Sequence, residues 1–371
     1  MEDLAVIDAA RAFWHGKRVL LTGHTGFKGS WLTLWLHRLG AKVTGIALPP
    51  ATMPNLYSEA GLGALCQTHF CDIRDAAALA DLTRAARPQI VFHLAAQPLV
   101  RASHKEPRAT FDTNVMGTVH VLEALRGLDD VRAVVMVTTD KVYREGDSRR
   151  PYRENDPLGG SDPYGASKAA CEMAVASYRD VFLSAQGIAV ASARAGNVIG
   201  GGDWSDDRLI PDAVRAWQAG QTLQVRRPQA VRPWQHVLEP LSGYLTLARK
   251  LWERSAPADA YNFGPGNSET ASVRDVVELA RQNYGQGEVR YGEGTDGPHE
   301  SAWLALDATK ARDILGVVPV LPLEQAIGLT MAWYHAHGQG ADARQLCDAD
   351  ISGFETRLLN RFAAAPEILT T

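Results

Sequence analysis

The sequence predicts an α/β protein: a doubly wound parallel sheet joined to a smaller mixed α/β lobe. Three observations carry that prediction. Short apolar segments alternate with amphipathic stretches through the first half of the chain, the pattern of strands joined by crossover helices. The run Thr22 to Gly29, TGHTGFKG, follows an apolar segment and opens into an amphipathic one. Val131 to Val137 is almost continuously apolar, as expected for a central strand covered on both faces.

Composition narrows the classes before any motif is read. With 371 residues, 46% of them hydrophobic, the chain can bury a large core. A formal net charge of -4 gives no basic footprint for nucleic acid. No apolar run reaches membrane-spanning length, and the acidic start MEDLAVIDAARAF lacks the basic segment of a signal peptide. Cys66, Cys71, Cys171 and Cys347 show no metal-ligand spacing. They read as free thiols in a reducing cytoplasm, and no metal is expected.

Taken in order, Arg18 to Leu21 reads as a strand and Ser30 to Leu39 as a helix, with Gly23, Gly26 and Gly29 three apart between them. That arrangement suits a tight turn, a close backbone approach to a diphosphate, and close packing of the helix on the sheet. Unpaired amides at the helix start then face the phosphates. Lys42 to Leu48 is a second strand, but no carboxylate stands at its end to grip an adenosine ribose, so the choice between NAD and NADP stays open there. Cys66 to Cys71 is a third strand, followed by Asp72-Ile73-Arg74-Asp75 and a helix from Ala76 to Ala86. Ile90 to His93 is a buried strand running into Leu94, Ala95, Ala96 and Gln97, whose small residues suit either a ligand or a packed helix. A long helix is expected over Pro107 to Arg126.

The central strand ends in Thr138-Thr139-Asp140-Lys141-Val142-Tyr143, and such sheets bind ligands beyond the carboxyl ends of their strands. Tyr164 and Lys168 follow in YGASK, leading into a helix over Ala169 to Ala185. Four apart on a helix, the two share a face. A nearby ammonium is expected to draw the tyrosine pKa down towards that of a general base. Ile188 to Ala195 closes the sheet, and Gly200-Gly201-Gly202 reads as a flexible crossing into the second lobe. Helices are expected over Asp206 to Ala219, Leu238 to Trp252, Val273 to Tyr284, Ala308 to Leu315 and Leu323 to Ala336, with a peripheral tail from Gly340. Gln224 to Pro233 supplies Arg226, Arg227 and Arg232, whose planar guanidinium groups suit a diphosphate. Trp204 and Trp234 read as packing residues of the smaller lobe.

The order TGHTGFKG, DIRD, HLAAQ, TTDKVY, YGASK resembles the extended short-chain dehydrogenase/reductase family of NAD-dependent epimerases and dehydratases, and within it the nucleotide-sugar 4,6-dehydratases. RAGNVIGGGDW (Arg194 to Trp204), RPWQHVLEPLSGYL (Arg232 to Leu245), NFGP (Asn262 to Pro265) and PHE (Pro298 to Glu300) resemble the members that act on CDP-D-glucose. The resemblance spans Trp14 to His335.

It implies a Rossmann domain for NAD over residues 1–195 and about 233–265, and a nucleotide-sugar lobe over about 196–232 and 266–360. It places NAD against Gly23, Thr25, Gly26, Phe27, Lys28 and Gly29, and against Asp72, Ile73, Leu94, Ala95, Ala96 and Gln97. Asn114, Thr138, Tyr164 and Lys168 complete that set, while Asn197, Arg208, Arg232 and His299 are implied for the sugar nucleotide. By the same resemblance Tyr164 takes the proton from the sugar 4-hydroxyl, Thr139 bonds that hydroxyl, and Lys168 holds the nicotinamide ribose. Members acting on dTDP-sugars carry Glu where this chain has Lys141. Asp140 is therefore assigned as the acid for the leaving 6-hydroxyl, and Lys141 as the carbon 5 base or as an electrostatic partner of the enolate. The family also implies a homodimer or higher homo-oligomer through the helices near Pro107 to Arg126 and Ser161 to Ala185. The alternatives are a dehydratase of another nucleotide sugar, a 4-epimerase, which needs no acid or base at carbons 5 and 6, and a non-catalytic dinucleotide sensor.

Overall fold

The first strand, β1 (Arg18–Thr22), turns over Gly23 into helix α1 (Phe27–Arg38), and the alternation continues down the chain. This computed structural model describes residues 11–146, 150–266, 270–294 and 301–364. Next come β2 (Lys42–Ala47), β3 (Gln67–Phe70), α2 (Ala76–Ala86), β4 (Ile90–His93), α3 (Gly117–Ala124) and β5 (Ala133–Val137). Then follow α4 (Pro163–Tyr178), β6 (Ala189–Ala195), α5 (Leu209–Gln218), α6 (Leu238–Trp252) and β7 (Ala260–Phe263). The chain ends with α7 (Val273–Tyr284), α8 (Leu323–Gly338) and α9 (Ala343–Ala364).

The seven strands form one parallel sheet in the order β7-β6-β5-β4-β1-β2-β3. Alternate residues of each strand feed opposite faces: Phe92, Val135 and Ala191 enter one apolar cluster, Val91, Val134 and Val190 the other. Sequence direction reverses between β1 and β4, so the loops after them diverge and leave a crevice. The doubly wound parallel sheet is therefore the one expected. Outside that sheet, the short strand Thr222–Val225 pairs with Glu288–Tyr291, and Val231–Arg232 with Ala271–Ser272.

Several boundaries differ, each for a local reason. The helix carrying Tyr164 and Lys168 starts at Pro163, before the expected Ala169, because Asp162 caps it by accepting from the amides of Tyr164 (2.9 Å) and Gly165 (3.1 Å). The expected helix over Pro107 to Arg126 is interrupted by a π-helical turn at Asp112–Met116, where the Asn114 carbonyl accepts from Cys171 Sγ at 3.0 Å. Helix α5 starts only at Leu209, since Asp207 has φ +58°.

Two expectations are corrected outright. Gly200, Gly201 and Gly202 are buried and close-packed, the opposite of a flexible crossing; a Cβ on Gly201 would lie 2.1 Å from the Trp333 ring. The tail is not peripheral either. Helix α1 is apolar on both sides, with Trp31, Leu32, Leu34, Trp35 and Leu36 all buried. It needs a second cover, and α9 supplies it with Cys347, Ile351 and Phe354. The Phe354 ring meets Trp35 edge-on at 5.8 Å, Trp35 Nε1 donates to Glu355 (2.9 Å), and Arg38 pairs with Asp348 (2.9 Å). Among the described residues no helix is long and apolar enough to cross a membrane.

Docking of α9 on α1 is thus a stability determinant. Phe354→Ala is expected to cost about 3–5 kcal/mol, read as a lower urea midpoint with an unchanged slope.

Candidate active site

The crevice between β1 and β4 is built by groups that leave room for a ligand. Gly23 turns with φ +77°, and a Cβ there would stand 2.7 Å from the Ala95 amide. On Gly29 it would stand 2.0 Å from the Gly23 carbonyl, so both positions require glycine. Gly26 meets only that carbonyl, at 3.5 Å, and as the N-cap of α1 it supplies no side chain to the first amides. An uncapped helix start above a cradle without Cβ atoms is fit to receive a diphosphate.

The loop after β4 is pinned from below. The Thr22 hydroxyl accepts from the amides of Leu94 and Ala95, both at 3.2 Å, so its own proton points to His93 Nδ1 at 2.7 Å. His93 then carries its proton on Nε2 and donates to Thr118 (3.2 Å). Burial and the charge of Lys168 push its pKa down to about 3, consistent with that neutral ring. Asn114 bridges loop and helix: it accepts from the Gln97 amide (2.8 Å) and donates to the Gln97 carbonyl (3.1 Å) and Ser167 Oγ (2.9 Å). Asn114 thereby shapes the loop, as does Gln97, whose own side chain is held by Thr110 (2.9 Å).

At the far end of the crevice, Asp72 is gripped by Arg74 (2.6 Å), and the Ile73 side chain packs on Gly117. Thr25 donates to the Leu48 carbonyl at 2.9 Å, the point where no carboxylate stands. The Phe27 ring lies under Gly200, on the side of the second lobe.

The strand end after β5 meets α4 at the near end. Asp140–Val142 forms one 3₁₀ turn, and Thr139 Oγ1 accepts from the Lys141 amide at 3.4 Å. The Thr139 hydroxyl donates to Asp140 Oδ1 (2.9 Å), and Thr139 stands near enough to Tyr164 to oppose the effect of burial on its pKa. Asp140 Oδ2 is buried with no protein partner. Gly196 lies against it, where a Cβ would come within 2.9 Å. Burial raises the Asp140 pKa despite Lys141, Thr139, Arg232 and Lys28, which all pull it down.

Lys168 donates to the Val137 carbonyl at 3.2 Å, and burial lowers its pKa. The expected lowering of Tyr164 by Lys168 is not found. Burial drives Tyr164 up to about 12, and the opposing groups are Thr139 and Arg208. Half-buried Lys28 is drawn down to about 8 by burial, then by Arg208 and Lys168, against the pull of Asp140 and Asp203.

Arg208 donates to the Pro98 carbonyl (3.2 Å), and buried Arg232 to that of Val231 (2.8 Å). The Asn197 carbonyl accepts from the Gln235 amide (3.0 Å) at the same crossing that carries Gly196. Thr138 departs from its expected place: its hydroxyl donates to Glu172 at 2.5 Å, beneath the site. His299, with Glu300, lies outside the described residues. Reading the sequence missed His93, Glu172 and Gly196. Glu172 was detectable in principle, standing four residues past Lys168 as Lys168 stands past Tyr164.

Comparison with known proteins bears on the same chemistry. Residues 20–330 match the family model described as GDP-mannose 4,6 dehydratase. A CDP-glucose 4,6-dehydratase from Salmonella typhimurium (strain LT2) is 43% identical over 92% of this chain and 97% of its own. A dTDP-glucose 4,6-dehydratase from Xanthomonas campestris pv. campestris (strain B100) is 30% identical over 85% and 92%. Among solved structures, a dTDP-glucose 4,6-dehydratase from Bacillus anthracis in complex with NAD shares the fold with a TM-score of 0.72, at 23% identity over 86% of this chain and 97% of that one. A UDP-glucose 4-epimerase from Thermotoga maritima does so with a TM-score of 0.74, at 22% identity over 87% and 99%. With a match of that extent in sequence, and the fold to go with it, the chain belongs to the family described as GDP-mannose 4,6 dehydratase.

Proposed function

We propose that the chain is a NAD-dependent lyase that converts CDP-D-glucose to CDP-4-dehydro-6-deoxy-D-glucose and water. The observation that carries this reading is Asp140: a buried carboxyl with a raised pKa, one oxygen on Thr139 and the other without a protein partner, beside Tyr164. An epimerase has no need of such an acid. The nucleotide rests on the 43% identity to the CDP-glucose enzyme.

In this reading the glycine cradle and the Leu94–Gln97 loop would hold NAD, whose nicotinamide would supply the hydride exchange that oxidises carbon 4 and later reduces carbon 6 of the sugar. Thr139 and Arg208 oppose burial at Tyr164, the direction a phenolate base needs to take the 4-hydroxyl proton. Lys168, beside Tyr164 on α4, holds the ribose. Once carbon 4 is a ketone the carbon 5 proton is acidic, and Lys141 takes it. Asp140 delivers its proton to the leaving 6-hydroxyl. Arg208 and Arg232 face the diphosphate of the sugar nucleotide. The lobe of residues 196–232 and 266–360 covers the substrate, and the compartment is the cytoplasm. Phe111, Met116, Met173 and Val181, the exposed apolar side chains of the helices at 107–116 and 163–183, form the homodimer face.

Incubation with NAD and, separately, CDP-, dTDP-, UDP- and GDP-glucose is expected to show loss of one water from CDP-glucose alone by mass spectrometry. Turnover of another nucleotide sugar overturns the nucleotide, and no water loss at all overturns the dehydratase. Asp140→Asn is expected to lower turnover by about 10²–10⁴-fold, while oxidation at carbon 4, followed as reduced-nicotinamide absorbance in a single turnover, persists. The same variant has a predicted sign in stability. Burial holds the folded pKa of Asp140 above its unfolded value, so its cost to folding grows as pH rises from the unfolded to the folded pKa and persists above. At neutral pH Asp140→Asn should therefore melt higher than the parent. Met173→Glu is expected to halve the mass seen by light scattering; an unchanged mass removes that face from the dimer.

A further inference from the structure

We propose that Glu172 is a positioning residue, which sets the end of β5 in register with α4 so that Thr139 and Asp140 face Tyr164. The inference rests on the roles given above to Tyr164, Thr139 and Lys168.

Tyr164, Lys168 and Glu172 stand four apart on α4 and form one stripe. Each meets a different point of the strand end: Tyr164 lies beside Thr139, Lys168 donates to the Val137 carbonyl (3.2 Å), and Glu172 accepts from the Thr138 hydroxyl (2.5 Å). Two of these contacts depend on the ligand-facing groups themselves. The third lies wholly inside the protein, with Glu172 at 5% exposure and Thr138 at 7%. It can fix the register whatever the chemistry above it is doing.

The surroundings of Glu172 suit a fixed acceptor. Oε1 accepts from Thr138 and from Arg194 Nε (2.9 Å), and Oε2 from Ser192 Oγ (2.6 Å) and Arg194 Nη2 (3.0 Å). Four donors aim at one carboxylate, so an amide in its place would turn its own donors on two of them. A buried ion pair is a weak source of net stability compared with an apolar replacement. Its geometric effect is larger: it ties α4 to β5 through Thr138 and to β6 through Ser192 and Arg194. Glu172 also opposes the effect of burial on Lys168, favouring its charged form. Arg194 runs on to the Tyr143 hydroxyl (2.9 Å), and that hydroxyl donates to Asn262 (2.6 Å), a branch that leads away from Tyr164.

The test uses the full chain with three variants. Glu172→Gln is expected to lower kcat about a hundredfold, the scale of a misplacement near one ångström, with KM little changed. Thr138→Val leaves the ion pair intact and is expected to act in the same direction. The second readout needs no turnover: the carbon-13 resonance of the Tyr164 ring Cζ, assigned by its loss in Tyr164→Phe, should shift in both variants as Thr139 and Asp140 move relative to it. Tyr143→Phe, on the other branch, is expected to lower the Tm while kcat and the Tyr164 resonance stay at parent values. Parent kcat and parent resonance in either folded variant overturn the proposal, as does an equal change in Tyr143→Phe. Should Glu172→Gln not fold, Thr138→Val decides. A parent protein that turns over no nucleotide sugar sinks the proposed function, and the Tyr164 resonance still decides the role of Glu172.

Discussion

The placement of α4 against the end of β5 is the constraint on which the rest of the site depends. A helix advances one and a half ångströms per residue and a strand more than twice that, so only a few side chains of each can meet, and only in one relative position. Here Tyr164, Lys168 and Glu172 meet Thr139, Val137 and Thr138. Asp162 fixes where α4 begins, and β6 fixes β5 from its other side through five backbone partners. The groups at this strand end are thus located by the helix cap and by the sheet as well as by one another.

Burial is what gives those groups their character. Asp140 is raised, Lys168 and Lys28 are lowered, and His93 is held neutral, each chiefly because water is excluded. The charges oppose one another as well: Lys28 and Arg232 lower Asp140, while Arg208 and Lys168 lower Lys28. Under such burial a carboxyl with a raised pKa and a lysine with a lowered one are the same physical fact seen from two sides. Lys28 stands in the first turn of the glycine-loop helix, so that helix adds a small pull against the burial that raises Asp140.

The fold was legible because its signals are local and periodic. The alternation of strand and helix, the glycine run and the buried character of Val131 to Val137 each survive in the structure. So was the meeting of one strand end with the next helix, since Thr139, Asp140, Tyr164 and Lys168 sit where a strand end and a helix start put them. What was not legible depends on distant partners. The spacing from Lys168 puts Glu172 on the Tyr164 face, but its partners Arg194 and Ser192, both about twenty residues on, are not visible in that spacing. Gly196 reads as a loop residue until Asp140 and Pro233 are seen against it. The pKa of Tyr164 was misjudged because spacing on a helix reports proximity to Lys168 and says nothing of desolvation.

The same difference explains the two errors of texture, the glycine crossing and the tail. Three consecutive glycines have no side chains to report what they touch, so in a sequence they look free. In space Gly200 receives Phe27 and Val237, Gly201 receives Trp333, and Gly202 receives Leu56. Phe27 opens α1 and Trp333 belongs to α8, so the crossing is where the cradle helix and the second lobe press on a shared backbone. Helix α9 closes the arrangement by covering the outer side of α1. With large side chains from both lobes packed onto atoms that cannot move aside, this segment behaves as a fixed joint. The relative placement of the glycine-loop helix and the strand Val231–Arg232 then follows from packing, which is why Lys28 from one and Arg232 from the other both reach the electrostatic field of Asp140.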